Sequence, residues 1–279
     1  MTGEEVLNER ERKIRKSNEL IQKSRYRMTA QQQKIMLYII AHIPPDATGF
    51  EEYTFSIPEF CRVCGIYKSK ALYQEIKKSI TGIKALETLW VQNKDGEEET
   101  LDWIQKAKII EKGPGSGYVK ITLDNGMVPY LLQLKKNFTQ YELIYTLKFK
   151  SKYSLRLYEL IKSVHFHELE DYEREYSVEY LRDFLIPKAE ENTGKNEYRE
   201  FKDFKKRVLI PAIKEINEYS DKTIEMEQVQ KGKKIVSIRF KISTKRTLEQ
   251  LFLRDKINKE LDQVSEDQVS FAELQGNDE

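Results

Sequence analysis

The sequence predicts an α+β fold built as two tandem units, and three observations predict it. Residues 198–220 read YREFKDFKKRVLIPAIKEINEYS, where Phe201, Phe204, Val208, Ala212 and Ile216 recur at intervals of three and four. That spacing commits one face of a helix to a core and leaves Arg199, Lys202 and Lys206 on another. Further on, Val236, Ile238, Phe240 and Ile242 alternate with outward residues as a half-buried strand requires. The Lys231-Gly232-Lys233-Lys234 stretch before them reads as a hairpin tip. Finally, the order helix, short strand, helix, basic helix, hairpin occurs twice, which argues for two related domains. A cationic helix followed by a hairpin with a basic tip is the plan of a winged helix. Each unit is therefore expected to hold a helical core, a basic recognition helix and a β-hairpin wing.

Taken in order, Thr2 to Arg27 is dense in charges of both signs and reads as a solvated lead-in helix (residues 1–27) in preference to a flexible arm lying along DNA. The first domain is expected at 28–135. Thr29 and Gln32 make a capping box for the helix AQQQKIMLYIIAHI, which Pro44-Pro45 stops. Tyr53 to Ile57 reads as a short strand, Ser56 as the cap of the next helix, and Pro58 suits its first turn. Gly65 ends that helix. In KSKALYQEIKKSITGIKALETL, Leu72, Ile76, Ile80 and Ile83 lie on one side, Lys70, Lys77 and Lys84 on the other. Asp102–Ile110 and Tyr118–Leu123 are the arms of a hairpin joined through the glycine-rich 112–117.

The second domain is expected at 136–245. The join at 124–149 looks structured, since Tyr130-Leu131-Leu132 and Tyr145–Phe149 are strongly apolar. Ser154–Val164 is a helix, and Tyr176-Ser177-Val178 repeats the strand-to-cap signal of Phe55-Ser56-Ile57. Beyond Leu253 no packing pattern is evident and every charged residue from Glu260 onward is acidic. Residues 246–279 are thus expected to be a mobile acidic tail.

Composition narrows the function. A chain of 279 residues that is 39% hydrophobic can form two cores, and a net charge of +2 requires a nucleic-acid surface to arise by separation of charge. No apolar run is long enough for a membrane span, and the first residues lack a secretory segment. A cytoplasmic protein is expected. Cys61 and Cys64 have the spacing of a redox pair or of half a zinc site, but without a second pair or a histidine cluster they read as structural thiols, with redox work the lesser alternative. No metal or cofactor is expected.

Three stretches carry a family resemblance: Met28–Ile40, LKKNFTQYELIYTLKFKSKYSLRLYELIKS at 134–163, and FKDFKKRVLIPAIKEINEYSD at 201–221 followed by QKGKKIVSIRF. They resemble the Rep_3 group of plasmid replication initiator proteins. The resemblance implies two winged-helix domains that bind directly repeated iterons at a plasmid origin, and recruitment of the host initiator and replicative helicase. It also implies a homodimer formed through the first domain, with the monomer as the iteron-binding form. Repression of the protein's own promoter goes with that group. The basic residue which the family carries near Lys233 or Lys234 is kept.

Candidate DNA contacts are then Lys70, Gln74, Lys77, Lys78 and Lys84 on the first basic helix and Lys112 on its wing. In the second domain they are Arg199, Lys202 and Lys206 on the helix and Lys231, Lys233 and Lys234 on the wing. Arg can read guanine with two hydrogen bonds, while Lys can read guanine or hold phosphate. Two other readings stand beside the initiator. One is a double winged-helix transcription regulator without an initiator role. The other is a rolling-circle nuclease, suggested by His165-Phe166-His167 and by Tyr198 four residues before Lys202. The histidines sit at a helix end and Tyr198 opens a basic helix, so no enzymatic activity is expected. Gly113, Gly115 and Gly117 form no phosphate loop, because no Gly-Lys-Ser/Thr follows. Leu86, Leu89, Trp90 and Val91 belong either to a dimer surface or to the first core.

Overall fold

The computed structural model describes residues 1–66, 70–84, 89–92, 97–112, 117–164, 171–186, 198 and 200–275, with the backbone alone for 70–72, 89, 90 and 264–275. The chain opens with α1 (Gly3–Arg10), β1 (Lys13–Ser17), α2 (Asn18–Lys23) and β2 (Ser24–Arg25). This overturns the solvated lead-in helix expected for residues 1–27. The helix stops at Arg10, and β1 pairs with a strand 125 residues away, Lys13 lying opposite Glu142 and Ser17 opposite Phe138. Val6, Ile14, Leu20 and Ile21 are buried. Four apolar side chains scattered among charges carry no visible period, yet all are buried and Ile14 and Leu20 join the main core.

The first unit follows the predicted order: α3 (Ala30–Ala41), β3 (Tyr53–Ser56), α4 (Ile57–Val63) and α5 (Lys70–Lys84). Next come β4 (Leu89–Gln92), β5 (Glu98–Leu101), β6 (Ile104–Glu111) and β7 (Gly117–Leu123). Its helix starts are chemically explicit. Thr29 and Gln32 form the capping box of α3, and Ser56 accepts from the Glu59 amide with Pro58 in the first turn of α4. Gly65 has a φ of 60° and ends α4 as expected. β3, β7 and β6 form one antiparallel sheet with β7 central. β4 pairs with β2 and β5 in a small second sheet, where Val91 is fully buried, so this residue belongs to the core. Leu86 lies outside the described residues.

A join of α6 (Val128–Leu131), β8 (Phe138–Glu142) and α7 (Ile144–Leu147) leads to α8 (Lys152–Val164). The second unit continues with β9 (Tyr172–Ser177), α9 (Val178–Leu185), α10 (Phe201–Phe204), a π-helical turn at Lys205–Leu209 and α11 (Ile210–Tyr219). It closes with β10 (Lys222–Lys231) and β11 (Lys234–Thr244). Here β11 is central, paired with β10 and β9. The second arm of the hairpin is thus central in both units and takes the short strand on its other side. That shared order is the structural form of the sequence repeat.

α8 serves both units. Its Glu159 pairs with Lys16 of β1 at 2.7 Å and accepts from the Tyr141 hydroxyl of β8. Next to it Tyr158, and one turn on Lys162, reach Asp221 of the second unit at 2.7 and 2.8 Å. Glu215 of α11 accepts from the amides of Lys150 and Ser151 and from Ser154 Oγ, capping the start of α8. Arg156 lies between the rings of Tyr26 and Phe184, 4.4 and 4.1 Å from their centroids. Buried charges are tolerated where each is paired and hydrogen-bonded, and here their partners come from both halves.

The final helix, α12 (Thr247–Gln275), corrects the expected mobile tail. Leu253, Ile257 and Leu261 are buried at successive four-residue steps, a stripe hidden in the sequence by the charges between them. α12 runs back to the first unit. Fully buried Arg10 donates to the Arg62 and Val63 carbonyls at the end of α4 and to Asn258 and Asp262 of α12. Arg254 pairs with Glu142 at 2.8 Å and Lys148 with Glu260 at 3.0 Å.

Candidate nucleic-acid interface

The helix of the second unit turns its cations outward for a geometric reason. Phe204, Val208, Ala212 and Ile216 are all fully buried, as their periodicity requires, and Phe201 is half-buried. Pro211 cannot donate within the helix and its ring crowds the preceding turn. The chain answers with the wider π turn over 205–209 directly before it. Lys202, Lys206, Arg207 and Lys214 are exposed. Sequence reasoning missed Arg207 and Lys214. Arg207 was hidden because an ideal helix gives no warning of the π turn; its guanidinium stands 6.0 Å from the Tyr198 ring. Arg199 lies outside the described residues, as do His165 and His167.

The lead-in to this helix is held from below. Tyr198 has a φ of 57°, and its carbonyl accepts from Arg182 of α9, whose guanidinium also lies 4.8 Å from the Phe204 ring. At the far end, the Asn217 side chain donates to the Ile224 carbonyl and accepts from the Ile224 amide, at 2.9 and 2.7 Å. These two bonds fix wing to helix. Lys245 donates to the Asn217, Ser220 and Lys222 carbonyls, and burial pushes its ammonium down to about 8.

The wing tip is a two-residue loop between paired Lys231 and Lys234. Gly232, with a φ of 64°, supplies the positive φ such a loop needs at its first position. Lys231, Lys233 and Lys234 are all exposed.

In the first unit the equivalent cations are differently employed. On α5, Tyr73, Ile76, Ile80 and Ile83 are buried while Gln74, Lys78 and Lys84 are exposed. Lys77 pairs with Glu111 of β6 at 2.8 Å, and Lys84 donates to the Gln105 carbonyl of the same strand. Helix and wing are cross-linked by the very side chains the sequence offers to DNA. Lys70 is helical in backbone, its side chain lying outside the described set. Lys112 is exposed and sits 4.9 Å from the ring of exposed Tyr118. The structure therefore presents two helix-and-wing surfaces, one with free cations and one with its cations partly engaged.

Known families match both units. The pattern described as "Initiator Replication protein, WH1" covers residues 13–162, and "Initiator Rep protein, WH2" covers 177–242. The chain belongs to the Rep3 family of replication initiators. Its first pattern begins at β1 and ends inside α8, taking in the paired N-terminal strand. A "Replication initiation protein" of Escherichia coli is 26% identical over 240 residues, covering 84% of this chain and 70% of the relative. A crystal structure of the Pi initiator protein in complex with iteron DNA superposes with a TM-score of 0.69 at 22% identity. That match covers 85% of this chain and 99% of the other. It bears out the tandem winged-helix fold. Among the described residues, no helix is long and apolar enough to cross a membrane.

Proposed function

We propose that this Rep3 protein binds directly repeated iterons at a plasmid origin and opens that origin for the host replication machinery. The observation that carries it is the second unit's outward row of Lys202, Lys206 and Arg207, fixed beside a wing that exposes Lys231, Lys233 and Lys234. A helix enters the major groove, where base edges are distinguishable, while flanking cations hold phosphates and set the register. That the structurally similar Pi initiator protein was solved in complex with iteron DNA supports iteron binding.

In this proposal the second unit reads bases through Arg199, Lys202 and Lys206, with Lys231, Lys233 and Lys234 on phosphate. The first adds weaker contacts through Lys70, Gln74, Lys77, Lys78, Lys84 and Lys112. We divide the two at residues 135 and 136, with α8 packed between them. The active form is a monomer, since a closed two-fold dimer opposes its reading helices and suits an inverted repeat. Partners are the host initiator and replicative helicase. No strand cleavage is involved, and the site of action is the cytoplasm.

The deciding experiment is duplex opening at a supercoiled origin with host factors, mapped by permanganate reactivity. Opening that depends on the protein supports the initiator; repression of its promoter without opening supports the regulator. A nick in the plasmid would revive the nuclease. Light scattering across protein concentration, with and without one iteron duplex, tests the assembly: one protomer per iteron is expected, and two would remove the monomer model.

A further inference from the structure

The outward face of α10–α11 contains one residue that its charge does not explain. Phe204, Val208, Ala212 and Ile216 point inward at a uniform spacing of four, although each such step in a straight α-helix advances by about 40°. The π turn at 205–209 winds more slowly and takes up part of that drift. A second row with the same spacing runs along the outside: Lys202, Lys206, Ile210, Lys214. Three members are exposed cations. Ile210 is 47% exposed, whereas the other large apolar side chains of this helix, Phe201, Phe204, Val208, Leu209, Ile213 and Ile216, are buried or half-buried. It stands one turn from Lys206 and one turn from Lys214, in the middle of the face that the proposed function sends into the major groove.

We infer that Ile210 is a specificity-determining residue that reads the C5-methyl group of a thymine. In the major groove thymine alone among the four bases presents a methyl, and an apolar side chain recognises it by contact and exclusion of water. Lysine cannot supply that selection. With cations on either side to hold phosphate or guanine, a branched aliphatic group at 210 adds discrimination for T at one base pair. This rests on the proposal that α10–α11 enters the major groove.

The test separates the two. A duplex selected by the full-length wild-type protein from a randomised pool is remade with deoxyuridine replacing one thymine at a time, which deletes only the methyl. Fluorescence anisotropy at fixed salt should show one or two positions where deoxyuridine weakens wild type roughly fourfold, the worth of about one buried methyl group. In Ile210→Ser the penalty at those positions should vanish, and in Ile210→Val it should remain. Folding of both variants is checked by circular dichroism. If every deoxyuridine duplex binds as the parent does, or if the penalty persists in a folded Ile210→Ser, the assignment to Ile210 is overturned. Should wild type select no duplex at all, the major-groove proposal itself fails and the inference falls with it.

Discussion

The two winged helices share strand order, cap chemistry and a basic helix, yet they use their cations in opposite ways. The first binds Lys77 to Glu111 and Lys84 to the Gln105 carbonyl, closing its helix onto its own wing. The second joins helix to wing through the uncharged Asn217 and through Lys245, which lies past the wing and outside the outward row of the helix. Lys202, Lys206 and Arg207 stay exposed. A fold that locks its parts without using the cations of its reading helix keeps those charges for a ligand. The lesson is that counting lysines on a helix overstates its affinity for DNA unless their intramolecular partners are known.

The sharpest way to break this contrast is to remove cations from each helix in turn. Lys202→Ala with Lys206→Ala should cost roughly 2 to 6 kcal/mol of iteron binding, about 1 to 3 for each contact. Gln74→Ala with Lys78→Ala should cost clearly less in the same anisotropy titration. Equal losses would erase the division of labour. Next in size are the wings. Neutralising Lys231, Lys233 and Lys234 together should flatten the log-log salt dependence of binding by about 0.9 per lost phosphate contact. Lys112→Ala should change it by less than one such contact. An unchanged slope would take the second wing off the DNA.

A third experiment tests a charge cluster near the first unit. Glu9 lies 2.6 Å from His42 and 2.8 Å from Arg12. Burial alone would raise its carboxyl, but hydrogen bonds from these two outweigh it and hold it at about 2. A carboxylate depressed in the folded state adds stability that is full above its usual range near 4.5 and is lost as pH falls towards 2. Denaturant titrations should therefore show Glu9→Gln losing stability at pH 6, with a flatter decline below pH 4.5 than wild type. Smallest is the Lys77–Glu111 link. A double-mutant cycle should give a coupling below about 1 kcal/mol, since both side chains are exposed. Its visible effect should be in binding, where Glu111→Ala frees Lys77 and tightens DNA association.

Local chemistry made much of this fold legible. Thr29, Ser56 and Ser177 each cap the helix they announced, and the stripe from Phe201 to Ile216 faces inward. What could not be read depends on distant partners. Lys13–Ser17 looks like any charged segment until Phe138–Glu142 lies beside it. Leu253, Ile257 and Leu261 are too sparse among charges to declare a buried face. Arg207 emerges only once Pro211 has imposed a π turn, and nothing in Lys77 predicts capture by a glutamate 34 residues on.

The return of α12 has a mechanical consequence. Having built its second winged helix, the chain doubles back, and Leu261 presses on Gly65 so closely that a Cβ there would lie 2.7 Å from its side chain and 2.8 Å from its backbone. The molecule is thus a buckled strap whose tongue is the C-terminal helix and whose eyelet is a glycine just past α4. Any swing of one reading head relative to the other must drag that tongue through the eyelet. A single close contact, Leu261 on Gly65, thus ties the end of the second unit back to the first.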